Sequence, residues 1–179
     1  MKLFTGIVFI TLCMSLAGCG FKLRGSQALP ESLDTVVINS SLQFSPMSRA
    51  LDNRLSVYQL NGIAARSEQA KNLDADSVVL INLSPENLER RLLSVFSSGQ
   101  VAEYELIYSV NYEVIFPGAE AISNVMSVSR EYQDDPQQIL AKSRELELVM
   151  DEMRLETADR IIRLLSSQYT LSVTATESN

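Results

Sequence analysis

The chain has 179 residues, with 22 Asp and Glu against 15 Lys and Arg, a formal charge of −7, two cysteines and no histidine. The missing histidine removes the commonest general base and every imidazole metal site. The acidic balance argues against a nucleic-acid partner, which needs a basic surface, so any anionic ligand requires a local cluster of Lys and Arg.

Residues 1–18 begin with Lys2, continue through a mostly apolar run from Leu3 to Met14, and end in Ser15-Leu16-Ala17-Gly18. A charged start, an apolar middle and small residues before a cut site are the order of an export signal. The run is too short to stay in a bilayer as a spanning helix. Leu16-Ala17-Gly18-Cys19 resembles a lipobox, so cleavage after Gly18 and acylation of the Cys19 thiol are expected. Each acyl chain contributes about 0.8 kcal/mol per buried methylene, and several together hold a protein at a membrane surface. An aspartate after the cysteine would retain a lipoprotein at the inner membrane; Gly20 stands there, which points to the outer membrane of a Gram-negative bacterium. Cys13 departs with the signal and Cys19 is modified, leaving no thiol for a disulfide or for catalysis.

Residues 19–30 read as a lipidated tether, 31–168 as one periplasmic domain of ordinary size, and 169–179 as a frayed, disordered tail. Thr35-Val36-Val37-Ile38 is a β-branched run between Asp34 and Asn39, as a buried strand requires. Ser45-Pro46 offers an N-cap and a first-turn proline, followed by Met47, Leu51, Leu55 and Tyr58 at helical spacing, and Asn61-Gly62 is expected to close that helix. Ser77 to Leu83 is a second apolar run, and after Pro85 a polar stretch leads through Leu92–Phe96 into Ser97-Ser98-Gly99-Gln100.

The clearest period follows. Ala102, Tyr104, Leu106, Tyr108, Val110, Tyr112, Val114 and Phe116 alternate with Glu103, Glu105, Ser109, Asn111 and Glu113, which predicts a long half-buried strand ended by Pro117-Gly118. With the segment before it, this strand forms a hairpin turning at Ser97–Gln100 and projecting beyond the core. Val125 to Tyr132 reads as a fourth strand. Asp135-Pro136-Gln137-Gln138 supplies an N-cap, a first-position proline and a capping-box glutamine. The helix that follows lines up Ile139, Leu146, Met150, Met153, Ile161 and Leu164 and is expected to run to about Gln168.

Few side chains invite chemistry. Glu103, Glu105 and Glu113 could bind a metal, but glutamates at i, i+2 on a strand more often form a solvated sheet face. Asp134-Asp135 beside a proline is better explained by helix capping. Arg144, Glu147, Asp151, Arg154 and Glu156 form an exposed mixed-charge helix face. Arg90, Arg91 and Lys142 are the basic residues to follow, because a lipid phosphate needs charged donors on an otherwise acidic protein. No catalytic residue, cofactor or metal is expected.

Several fragments resemble the LptE (rare lipoprotein B) family of lipopolysaccharide-assembly lipoproteins. They are Gly18-Cys19-Gly20-Phe21-Lys22-Leu23-Arg24, Ser48-Arg49-Ala50, Ser94-Val95-Phe96 with Gly99-Gln100, and Ala102-Glu103-Tyr104. Val114-Ile115-Phe116-Pro117-Gly118, Asp135-Pro136, Leu140-Ala141-Lys142, and Glu152-Met153 ahead of Ile161-Ile162-Arg163 continue the match in the same order over nearly the whole mature chain. The resemblance implies an α+β fold, two helices packed on one face of a mainly antiparallel four-stranded sheet. It implies a plug within an LptD-type outer-membrane β-barrel, as a 1:1 complex that takes lipopolysaccharide to the outer leaflet. It also implies lipopolysaccharide binding near the Ser-Val-Phe hairpin and at the lysine of Leu-Ala-Lys, which is Lys142. The position after Phe96, basic in some members, is Ser97 here, and Arg90 or Arg91 would then supply that charge. The turn residues Ser94, Val95, Phe96, Ser97, Ser98, Gly99 and Gln100 are the expected partner contacts.

Two other classes compete. An enzyme using carboxylates or a Ser-Lys pair would need two such groups in one pocket, and the spacing singles out none. A structural lipoprotein of another outer-membrane assembly complex would share the anchor and bind no lipid.

Overall fold

The computed structural model describes residues 29, 33–135 and 137–177. The expected signal and the first part of the tether, with Cys19, lie outside these residues, as does Pro136.

Strand β1 (Thr35–Ser40) buries Val36 and Ile38 on one face. Helix α1 (Pro46–Val57) starts as its sequence requires: the Ser45 hydroxyl accepts from the Ser48 amide at 3.2 Å, Pro46 occupies the first turn, and Met47, Leu51 and Leu55 are buried. Its end differs from expectation. Gln59 takes the left-handed turn at φ 61°, and Asn61-Gly62 opens a short strand, β2 (Asn61–Ala64), parallel to β1. A Cβ at Gly62 would run into the Asp52 carboxylate on α1, so a larger residue there would need that exposed side chain to swing aside.

After a passage through two single-turn 3-10 helices come β3 (Val79–Leu83), β4 (Asn87–Val95), β5 (Val101–Ile115) and β6 (Ile122–Gln133). The sheet has six strands in the order β2-β1-β3-β5-β4, with β6 on the other side of β5. It is mixed, β1 being parallel to β2 and β3 and the remaining pairs antiparallel. The four-stranded expectation is therefore corrected. Helix α1 and the passage from Ala65 to Val78 are crossovers that return the chain in the same direction, and β2 is too short to carry a readable period.

The long strand β5 is the spine. Its C-terminal half pairs with β3 from Tyr112 to Ile115, its N-terminal half with β4 from Val101 to Ser109, and β6 follows its other edge. Above β3 the sheet thus continues as a three-stranded blade. Its tip is the turn Phe96–Gln100, closed by Phe96 N to Gln100 O at 2.8 Å, with Gly99 at φ 83°.

Helix α2 (Ile139–Glu177) returns from the blade along the same sheet face as α1. It begins after Gln138, the acceptor of its first bond from Lys142 N, rather than at Pro136. Asp135 instead makes a side-chain turn, accepting from Gln137 N at 2.9 Å and Gln138 Nε2 at 2.7 Å. Met153 and Ile161 are buried as expected, but Ile139 and Leu164 are exposed and Leu165 takes the inward position. The helix also continues to Glu177, past the expected end near Gln168. No Gly or Pro interrupts it, and Tyr169 packs edge-on against Phe116 with ring centroids 5.5 Å apart.

Candidate functional site at the blade

Side chains directly opposite across a sheet share a face. Arg90 lies opposite Leu106, which is buried beneath the helices, so Arg90 emerges on the helix side. Arg91 lies opposite Glu105 on the helix-free side, and the two form an ion pair there. The neighbouring arginines therefore serve different surfaces.

Lys142 joins Arg90 on the helix side. Tyr132, opposite Tyr104 on the same face, presents its ring to the ammonium, Nζ lying 5.2 Å from the centroid. Its hydroxyl donates to the Lys142 carbonyl at 2.7 Å, tying the first turn of α2 to the end of β6. Burial pushes the Tyr132 hydroxyl pKa up; the Glu145 carboxylate adds to the rise, while the charges of Lys142 and Arg90 oppose it. The hydrogen bond to Glu145 raises the Lys142 pKa. Lys142 Nζ donates to Glu145 at 2.9 and 3.1 Å.

Two polar clusters hold α2 in place. Arg154 donates to Glu86 at 2.7 Å, and Glu86 accepts from the Tyr108 hydroxyl at 2.8 Å. Burial, reinforced by the Glu86 hydrogen bond, drives the Tyr108 pKa far up. Burial works against the Arg154 charge, but the Glu86 hydrogen bonds outweigh it and its pKa is raised. Farther along, Glu156 pairs with Arg130 of β6 and with Arg160, whose guanidinium also reaches the Ser127 carbonyl. Burial would raise the Glu156 pKa, yet the two arginines together lower it. Asp159 meets Arg54 of α1 at 2.6 Å.

The expected contact residues occupy the blade tip. Ser94 bonds Glu103 at 2.7 Å, and a register shift between Leu92 and Ser94 makes Leu93 the extra residue of a bulge. Leu92, Leu93, Val95 and Phe96 are all about half exposed, and Ile139 and Leu140 at the start of α2 are 72% and 82% exposed. Exposed apolar groups beside a basic pair make an amphipathic surface.

The glutamates are accounted for by the sheet: Glu103 by Ser94 and Gln133, Glu105 by Arg91, Glu113 by Asn82 and Ser123. Among the described residues no three acidic or cysteine side chains are grouped to hold a metal, and no helix is long and apolar enough to cross a membrane. An open cavity of about 420 Å³, lined by Leu42, Phe44, Arg49 and Arg66 among others, lies at the end of β1 and shares no lining residue with the blade site. Tyr132 and Glu145 hold Lys142, and exposed Ile139 and Leu140 precede it in the first turn of α2. Sequence reasoning missed their role because only the β5–β6 register and the start of α2 bring them to Lys142.

Residues 33–165 match the family model LptE, described as Lipopolysaccharide-assembly. The LPS-assembly lipoprotein LptE of Pectobacterium atrosepticum is 30% identical over 164 residues, covering 92% of this chain and 85% of the relative. That of Yersinia pestis (strain Pestoides F) is 30% identical over 175 residues, covering 95% and 81%. The crystal structure of rare lipoprotein B from Shewanella oneidensis superposes with a TM-score of 0.64 at 36% identity, covering 76% of this chain and 96% of that one. On this match of sequence and fold, the chain belongs to the LptE family of lipopolysaccharide-assembly lipoproteins.

Proposed function

We propose that the protein is anchored to the outer membrane through acyl chains on Cys19, fills the lumen of an LptD-type β-barrel as a 1:1 plug, and binds lipopolysaccharide as it passes to the outer leaflet. The observation that carries the lipid-binding part is that Lys142, held over the Tyr132 ring, shares the helix side of the blade with Arg90 and the exposed Leu92, with exposed Ile139 and Leu140 just before it on the helix. Phosphate groups would meet the two cations and acyl groups the apolar residues. Arg91 is left out of the lipid site because it faces the other way and is paired.

Lys142 sits in the first turn of a long helix, where the positive end of the helix dipole adds to the attraction for an anion. The tip residues Ser94, Val95, Phe96, Ser97, Ser98, Gly99 and Gln100 are the barrel contact in this reading, their exposed apolar side chains needing cover. A photo-crosslinker at Ser97 or Ser98 in living cells should capture the barrel or lipopolysaccharide. Crosslinks confined to Val57 on the body of the domain, with none at the tip, would contradict the assignment.

A further inference from the structure

Lys142 already has an anion. Glu145, three residues along the helix, holds its ammonium with both carboxylate oxygens, at 2.9 and 3.1 Å. The two partners are unequally fixed. The Lys142 side chain is 19% exposed and lies over the Tyr132 ring, whereas that of Glu145 is 50% exposed. Asp134 lies near Tyr132 and Asp135 near Lys142, so with Glu145 three carboxylates face the two cations and the empty site is not basic.

We propose that Glu145 is a resident counter-ion that occupies Lys142 in the empty site and is exchanged for the anionic group of the lipid. The inference rests on the reading of Lys142 as a lipid ligand. A phosphate and the Glu145 carboxylate on one ammonium repel each other, so phosphate binding is favoured when the carboxylate swings away into solvent. The exchange is feasible because half-exposed pairs at this spacing are weak. Tyr132 holds the ammonium in place while its partner changes, by the attraction between cation and ring face. Displacement also sets a threshold. A carboxylate amphiphile trades one carboxylate for another and gains little, while a phosphate brings more charge and more acceptor oxygens, so Glu145 tunes the site toward phosphorylated amphiphiles.

The test uses the full-length acylated protein in detergent, purified lipopolysaccharide as the probe, and fixed salt and pH. Glu145→Gln is compared with Glu152→Gln, which removes the same charge from an exposed position farther along the helix, and both with Lys142→Met and Lys142→Met/Glu145→Gln. Thermal unfolding of each variant verifies the fold. Glu145→Gln is expected to tighten binding at least threefold (on the order of a lost like-charge contact), Glu152→Gln by clearly less, and Glu145→Gln is expected to add nothing once Lys142 is methionine. Equal effects of the two glutamine substitutions, or a gain that survives in Lys142→Met, overturn the counter-ion role. If Lys142→Met weakens binding while Glu145→Gln changes nothing, the lipid site stands and the exchange alone fails. Unchanged binding in Lys142→Met removes the lipid site itself, and the exchange with it.

Discussion

The Tyr132 hydroxyl donates to the carbonyl of Lys142 at 2.7 Å, while the ammonium of the same lysine lies 5.2 Å from the centre of the Tyr132 ring. One side chain thus fixes both the backbone and the charge of Lys142, and its two parts can be separated by mutation. Tyr132→Phe keeps the ring and loses the hydroxyl. It should leave lipopolysaccharide binding within about twofold and lower the unfolding temperature by about 2–4 °C, the effect of one ordinary hydrogen bond in a domain of this size. Tyr132→Leu removes the ring and should weaken binding about two- to fivefold. Binding titrations and thermal unfolding of the two variants separate the roles. Equal loss of binding in both would show that the ring contributes nothing.

Two core tyrosines on β5 should respond differently to loss of their hydroxyls. Tyr108 donates to Glu86 within the Arg154 cluster, and Tyr108→Phe should cost about 1–3 kcal/mol because it leaves a partly buried carboxylate short of a donor. Tyr112 is equally buried, but among the described residues its hydroxyl makes no hydrogen bond of ordinary geometry, Gln168 being only its neighbour, so Tyr112→Phe should be close to neutral. Denaturant unfolding measures both.

Acid should loosen α2 from β6. The folded-state pKa of Glu156 is lowered by Arg130 and Arg160, so its contribution to stability is full above the unfolded-state value of about 4.3 and is lost as pH falls through the lower folded-state value. Glu156→Gln should therefore be less stable than the parent at neutral pH, and the difference should shrink below about pH 4. Unfolding temperatures measured across that range check the sign. A difference that persists unchanged at pH 3 would mean the pair acts through packing rather than charge.

The parts of this fold that were legible in the sequence are the local ones. The Ser45-Pro46 start of α1 and the alternation expected from Ala102 onward depend only on neighbouring residues; the first stands, and the second is seen in the burial of β5 from Leu106 to Val114. Strand β2 was not legible, because Asn61-Gly62-Ile63-Ala64 becomes a strand by pairing with β1 beneath α1, and Asn-Gly by itself reads as a turn. The start of α2 was misplaced because Asp135 spends its side chain on a turn before the helix. At the candidate site, Arg90, Arg91 and Lys142 could be named as charges, but not sorted. Which arginine shares a face with Lys142 depends on the β4–β5 register, where a slip of one residue would exchange them. Tyr132 and Glu145 carry no signal of their own, since their importance comes from what they touch.

If lipopolysaccharide is held on the helix side of the blade by Lys142 and Arg90, as proposed, its binding by full-length protein should respond selectively to single charge reversals at Lys142, Arg90 and Arg91. Charge-assisted contacts are strong enough that reversing one should weaken binding by roughly tenfold or more. That loss is expected for Lys142→Asp and Arg90→Asp, with Arg91→Asp close to the parent because its side chain faces the opposite surface. Unchanged binding in a well-folded Lys142→Asp/Arg90→Asp protein, or a loss confined to Arg91→Asp, would contradict the proposal.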